Sequence, residues 1–249
     1  MAKRKRNRPR PRKPKPAPAS PPFEAQFLEA APAARPWPRW ATLLACVLVL
    51  AAGIAAFWNS FDGLYMLDDH HALVDNPNVR AFQFRPEDPL TTRLAGLLDP
   101  DELIHYVSRP QSSRPLVNFS LAMNFVVGRY LGERHEWASI GRNGMPDKEG
   151  FHLFNLTVHL LAALLVFGLV RRTLTSPLMR ERFARVATPL ATAVAMLWVV
   201  HPLQTESVTY IIQRSEAMVG LFYLLTMYCS VRGATSRRGT SPCRWTGST

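Results

Sequence analysis

Asp68 and Asp69 lie side by side in Phe61–Pro77, a polar stretch that follows the first long apolar segment of the chain. A carboxylate pair at a membrane surface is costly to desolvate, so its position asks for a use. A held carboxylate is a proton acceptor, the working part of a general base. Other groups of the right kind recur downstream. Arg114 precedes an amphipathic stretch, and His201, Gln204 and Glu206 follow an apolar one. Arg214 and Glu216 stand just before the last apolar block. His152, Asn155 and His159 are spaced by three and four, which places them on one face of a helix. Acids, bases and cations of this kind, gathered at one end of a helical bundle, suit a reaction at a membrane interface. Simpler readings stand beside this one. His159 could be a packing histidine, and Arg214 and Glu216 could be interfacial anchors. His70 and His71 next to the Asp pair have no diagnostic ligand spacing, so neither a metal nor a cofactor is expected.

The elements that must position these groups are read from the apolar blocks. Trp40–Trp58 is uncharged over nineteen residues, with a Trp at each end. A bilayer core of about 30 Å needs about 20 helical residues, and Trp favours the interface. A signal peptide would carry a shorter apolar region nearer the start. Further spans are expected at 151–170, 186–200 and 217–231, the later two shorter than usual and the last open to continuing a helix from Val208. Pro189 is tolerable in the first turn of the third. Residues 59–150 read as a large polar first loop. Within it, Leu116, Phe119, Met123, Val126 and Tyr130 recur at near-helical spacing, interrupted by Asn118, Ser120 and Asn124.

Charge sets the expected topology. Residues 1–39 hold eleven Lys/Arg against Glu24 and Glu29, whereas 59–150 hold thirteen Asp/Glu against nine Lys/Arg. Five arginines and one Glu lie in 171–185. With four spans, the basic start, the arginine loop and the tail are cytoplasmic, and the acidic loop is outside. A fifth span at 115–131 would put five arginines outside, so that stretch reads as a helix lying on the membrane. The fold class is thus an all-α integral membrane protein of about four transmembrane helices.

Residues 1–39 form a basic, proline-rich cytoplasmic tail, expected to be disordered and to touch anionic lipid. Its Lys/Arg/Pro run over residues 1–22 lacks interleaved aromatics, which argues against nucleic acid. Residues 40–231 form the membrane domain. Residues 232–249 have no periodicity and read as a disordered or out-of-register tail, as if the chain were the front of something longer. Three cysteines, two of them inside apolar blocks, exclude a disulfide framework. Composition sets no oligomeric state.

Four motifs occur in order: Asn59-Ser-Phe-Asp-Gly with Leu67-Asp-Asp and Asp75-Asn-Pro77; Ser113-Arg-Pro-Leu116; Phe151-His-Leu-Phe-Asn-Leu-Thr-Val-His159; and His201-Pro-Leu-Gln-Thr-Glu-Ser-Val208 with Gln213-Arg-Ser-Glu216. Over residues 57–231 this order resembles the membrane O-mannosyltransferases that act on cadherins and their bacterial relatives with tetratricopeptide-repeat tails. The resemblance implies the N-terminal part of a C-type glycosyltransferase fold, in a bacterial inner membrane if the bacterial relatives are the guide. It implies a polyprenyl-phosphate sugar as donor and a hydroxyl acceptor outside the cytosol, with the acidic position after the first span falling on Asp68–Asp69. The family has more spans than the four read here, and repeats that this chain lacks.

That chemistry is sound on its own terms. A carboxylate can take the proton of a Ser/Thr hydroxyl as it attacks an anomeric carbon. A cation can stabilise the departing phosphate. The expected roles are Asp69 or Asp68 as base, Arg214 and His201 on phosphate, and Glu206 on sugar or acceptor. Arg114, His152, Asn155, His159 and Glu216 complete the substrate-binding set. The competing class is a non-catalytic membrane scaffold or inactive fragment.

Overall fold

The computed structural model describes residues 37–62, 69, 73, 75, 76, 79, 85–101, 114–135, 146 and 148–237. Asp68, His70, His71, nearly all of the basic 1–39 segment and residues 238–249 lie outside the described residues. What is described is helical, with no extended strand. In chain order the helices are α1 (Arg39–Phe57), α2 (Leu90–Leu97), α3 (Pro115–Arg134), α4 (Glu149–Leu174), α5 (Arg180–Phe183), α6 (Ala187–Val199), α7 (Thr205–Thr209) and α8 (Arg214–Arg237). A 3-10 turn over Trp58–Asp62 prolongs α1, and another over Pro202–Gln204 leads into α7.

Three helices among the described residues are long and apolar enough to cross a membrane: Arg39–Phe61, Glu149–Leu174 and Arg214–Ala234. At 1.5 Å per residue the 26 residues of α4 reach about 39 Å, more than a bilayer core of about 30 Å. Their outer faces suit lipid, since Leu43, Leu44, Val47, Leu48, Leu161, Val219, Phe222 and Tyr223 are all exposed. These exposed apolar faces make the chain a membrane protein.

The span boundaries differ from those expected. The third candidate, 186–200, is an apolar helix of only 13 residues, about 20 Å long. It stops at Val199 because His201-Pro202 follows, and a residue before proline disfavours helical backbone. The last span does not continue from Val208. α7 ends at Thr209, the next residue Tyr210 has extended backbone (φ −90°, ψ 125°), and α8 starts afresh at Arg214. It then runs to Arg237, past the expected end at 231 and into the expected tail. The 59–150 loop carries α2 and the 20-residue α3, at the place read as a surface helix.

α4 is the central element, with α1, α6 and α8 packed along it. α1 and α6 run antiparallel to α4. Thr188 near the start of α6 meets Arg171, and Val199 at its end meets His159. α8 runs parallel, since Arg214 meets Phe151 and Asn155, and Tyr228 meets Gly168. Between α1, α4 and α6 the core is made of small residues, Ala45, Ala163, Ala191 and Ala195, with Val49, Val166, Phe167 and Val199 around them. Small residues let membrane helices approach closely. Gly53 marks the tightest point, where a Cβ would stand 2.5 Å from Leu160 Cδ2 and 2.9 Å from Val199 Cγ2. Gly53→Ala is expected to lower stability by about 1–3 kcal/mol through overpacking. Thermal unfolding in detergent measures this, and a melting temperature equal to that of the parent would contradict the close approach.

α2 and α3 form a separate bracket over the start of α4. Arg93, wholly buried, pairs with Glu133 at 2.6 Å and donates to the carbonyls of Arg85 and Pro86. Arg93 and Arg134 both lie over the Tyr130 ring, at 5.4 and 4.1 Å from its centroid. α3 meets α4 through Leu121, Phe125 and Phe151, which share a cluster with Leu73, Val79 and Ile211.

Candidate functional site

The polar face of α4 at 152, 155 and 159 turns inward at the end of the bundle where α1 finishes and α8 begins. His152 and His159 are buried, and Asn155 is fully so. Spacing by three and four supplies the shared face; the tertiary contacts decide what each residue does with it.

Arg214 is the hub. It is completely buried at the first position of α8. Its Nε donates to Asn155 Oδ1 (2.9 Å), Nη1 to Ser120 Oγ (3.3 Å) and Nη2 to the Phe151 carbonyl (3.1 Å). The guanidinium also lies over Phe154, 4.2 Å from the ring centroid. One side chain thereby ties α3, α4 and α8 together. Among the described residues, all three of these acceptors are neutral. Buried cations are normally matched by an anion. Asn155 passes the connection on, donating from Nδ2 to the Tyr210 carbonyl at 3.0 Å.

Two features explain why the chain breaks between α7 and α8. The Tyr210 carbonyl is held by Asn155, and the Ile212 N–H donates to Asp69 Oδ1 at 3.1 Å. Side chains from α4 and from the stretch after α1 thus claim backbone groups of residues 210–212. Asp69 itself is buried, 1% exposed. Arg114, just before α3, is exposed and donates from Nη1 to Ser215 Oγ at 2.7 Å. A second guanidinium is therefore fixed next to Arg214, but open to solvent. Asp69, Arg114, Asn155 and Arg214 converge on the residues around the start of α8.

His152 is 1% exposed, with Phe61 edge-on at 6.5 Å and the Val208 backbone beside it; among the described residues no hydrogen bond of good geometry reaches its ring nitrogens. Asp69 is close enough to act on it electrostatically.

His159 sits elsewhere. Its Nε2 is 2.9 Å from the Val199 carbonyl, its ring stacks on Trp198 at 4.9 Å, and Phe57 meets it edge-on at 5.3 Å. It satisfies a carbonyl at the end of α6 and fills the corner between α1, α4 and α6. His159→Phe is expected to keep the stacking, lose about 1 kcal/mol of stability and leave any ligand affinity unchanged. A melting curve and a donor-binding titration on the same variant separate packing from substrate contact.

The remaining residues of the set form an exposed rim. His201 caps the 3-10 turn, accepting the Leu203 N–H on Nδ1 at 3.2 Å. Glu206 and Glu216 are exposed in the first turns of α7 and α8. Their side chains are not drawn into the Arg214 cluster. Ser120 and Ser215 were not singled out from the sequence; only the adjacency of Ser215 to Arg214 pointed to it. The Asn118-Phe-Ser120 and Asn155-Leu-Thr157 triplets fit a glycosylation acceptor in pattern, but Ser120 and Asn155 are buried and bonded to Arg214. Among the described residues, no three His, Cys, Asp or Glu side chains gather as a metal site would require.

Comparison with known proteins gives one consistent answer. Human protein O-mannosyl-transferase TMTC4 is 29% identical over 209 residues, 81% of this chain and 24% of the relative. The mouse protein O-mannosyl-transferase TMTC2 is 26% identical over 203 residues, 82% of this chain and 20% of the relative. This chain is similar to the protein O-mannosyl-transferases. Mouse TMTC3 adds a third example, 24% identical over 71% of the chain. The chain spans about a quarter or less of the length of these curated relatives. No protein-family model matches it, and no solved structure does. The family resemblance seen in the four motifs therefore agrees with relatives that align over most of the chain.

Proposed function

We propose that this chain carries the donor-binding and base-bearing part of a glycosyltransferase that moves a sugar from a polyprenyl phosphate to a hydroxyl. The observation that carries it is the gathering of a buried carboxylate, Asp69, and two guanidinium groups, Arg214 and Arg114, around the start of α8, where they hold Ile212, Asn155 and Ser215 respectively. The shared name of the relatives makes mannose the sugar to test first.

In this reading the acceptor hydroxyl attacks the anomeric carbon and its proton passes to the carboxylate. The bond from that carbon to the lipid phosphate breaks, and the phosphate leaves with the electron pair. Asp69 is the base, with Asp68 beside it in the chain. Arg114, open on one side, meets the departing phosphate. Arg214 stands behind it, supplying positive potential from a site that solvent does not screen. Asn155 positions Arg214, and His152 lies near Asp69. His201, Glu206 and Glu216, on the rim, guide sugar or acceptor.

The reaction end is then extracytoplasmic, and the arginine-rich end, with the basic N-terminus on anionic lipid, is cytoplasmic. α6 brings the chain back between α4 and α8 as a short fourth crossing. The relatives reported are animal proteins, so they lend no support to a bacterial inner membrane.

The test is transfer of label from polyprenyl-phosphate [3H]mannose to a Ser/Thr-rich acceptor by the purified chain, with donor binding followed in parallel. Labelled acceptor that depends on Arg114 supports the reading. Donor binding without transfer would move the chain to the non-catalytic class, and neither binding nor transfer would remove the proposal.

A further inference from the structure

The other end of the bundle holds a polar cavity of about 480 Å³, lined by Thr42 of α1, by Phe167, Gly168, Arg171 and Arg172 of α4, by Thr175 to Pro177 beyond it, and by Tyr228 of α8. It is far from the candidate active site. Arg171 is sixteen residues along α4 from Asn155, about 24 Å of helix. Two arginines and a set of hydroxyls at such a position have a structural use available, since basic residues in the last turn offset the helix dipole. That use does not require a cavity.

The cavity has two kinds of wall. Phe167, Gly168 and the Tyr228 ring form an apolar side that belongs to the membrane-crossing parts of α4 and α8. Gly168 lets Tyr228 approach, with Cε2 at 3.0 Å from where a Cβ would be. Arg171, Arg172, Thr42, Thr175 and Ser176 form the polar side. Arg171 is oriented by donation from Nε to Thr188 Oγ1 at 3.3 Å. The nearby connection adds Arg180, Arg182 and Arg185, and it is tied to the start of α1 by the Trp37 indole N–H donating to the Arg185 carbonyl at 2.6 Å. The site therefore joins cationic donors to an apolar wall at the depth where a span leaves the membrane.

We propose that this cavity binds the phosphate headgroup of an anionic phospholipid, with Arg171 and Arg172 on the phosphate and the acyl chains running along Phe167 and Tyr228. Arginine forms short, charge-assisted bonds to phosphate oxygens, and basic pockets between membrane helices are suited to such headgroups. The apolar wall favours a lipid over free phosphate, which has nothing to place there. The proposal stands independently of the glycosyltransferase reading.

Native mass spectrometry of the full chain, titrated with phosphatidylglycerol, phosphatidylcholine and inorganic phosphate, tests it. Phosphatidylglycerol is expected to be held at least about tenfold more tightly than phosphatidylcholine, roughly 1.4 kcal/mol, and not to be displaced by millimolar phosphate. Arg171→Gln combined with Arg172→Gln should remove that preference. Thr42→Trp fills the cavity from α1 with both arginines in place, and it decides the matter if the double variant does not fold. Asp69→Asn should bind as the parent does. Equal retention of the two lipids, full retention by Thr42→Trp, or displacement by inorganic phosphate would each overturn the assignment.

Discussion

Asp69→Asn is expected to cut sugar transfer by about 100-fold or more while the chain still folds. In the proposed reaction Asp69 is the general base, whose contribution is typically about 10²–10⁴-fold, and the expected loss follows from removing it. The survival of the fold follows from geometry. Asp69 Oδ1 accepts the Ile212 N–H, and an amide oxygen at the same place can accept it too. The substitution therefore separates proton transfer from the backbone contact that shapes residues 210–212. Initial rates and melting temperatures on the same preparation check it. An unchanged rate would take the base away from Asp69 and leave it with Asp68 or another group. A rate lost together with the fold would assign Asp69 a structural role instead.

Arg214→Met is expected to be the most destabilising single change in the site. Buried charges can sometimes be replaced by apolar residues at no cost, or even with a gain. Here the partners argue otherwise. The Phe151 carbonyl, Asn155 Oδ1 and Ser120 Oγ are held on two different helices, and all would lose their donor. Net hydrogen bonds to a charged group are worth about 1.5–3 kcal/mol each, so a loss of roughly 3 kcal/mol or more is expected. Arg214→Lys would keep the charge but present it as a point, without the fork that reaches three acceptors. It should recover only part of the loss. Thermal unfolding in detergent reads both variants. A methionine variant as stable as the parent would mean that Arg214 is retained for its charge alone.

The membrane helices were legible because uncharged runs of suitable length admit few other readings. α1 and α4 lie close to where the apolar blocks of 40–58 and 151–170 put them, and α4 extends only into its polar flanks. The shortness of α6 was legible too, in an apolar run below the usual span length that is closed by His201-Pro202, but its uncharged composition made it look like a span. The break before α8 was not legible. It depends on Asp69 reaching Ile212 and on Asn155 reaching Tyr210, contacts between residues separated by 143 and 55 positions. The shared face of His152, Asn155 and His159 was readable from spacing, but spacing cannot tell a hub from a spacer. Asn155 serves Arg214, whereas His159 serves Val199. Arg93 carried no local signal at all, because its carboxylate partner is forty residues away on another helix.

Folding has taken the His152 imidazole out of water and set it beside the Val208 backbone and the Asp69 carboxylate. Among the described residues, no hydrogen bond of good geometry reaches its ring nitrogens. An imperfectly satisfied buried polar group costs up to about 1–3 kcal/mol, and better alignment recovers part of that. A small movement of α7, which carries Val208, towards the ring would therefore be favoured, so the seat of that short helix is coupled to one imidazole of α4.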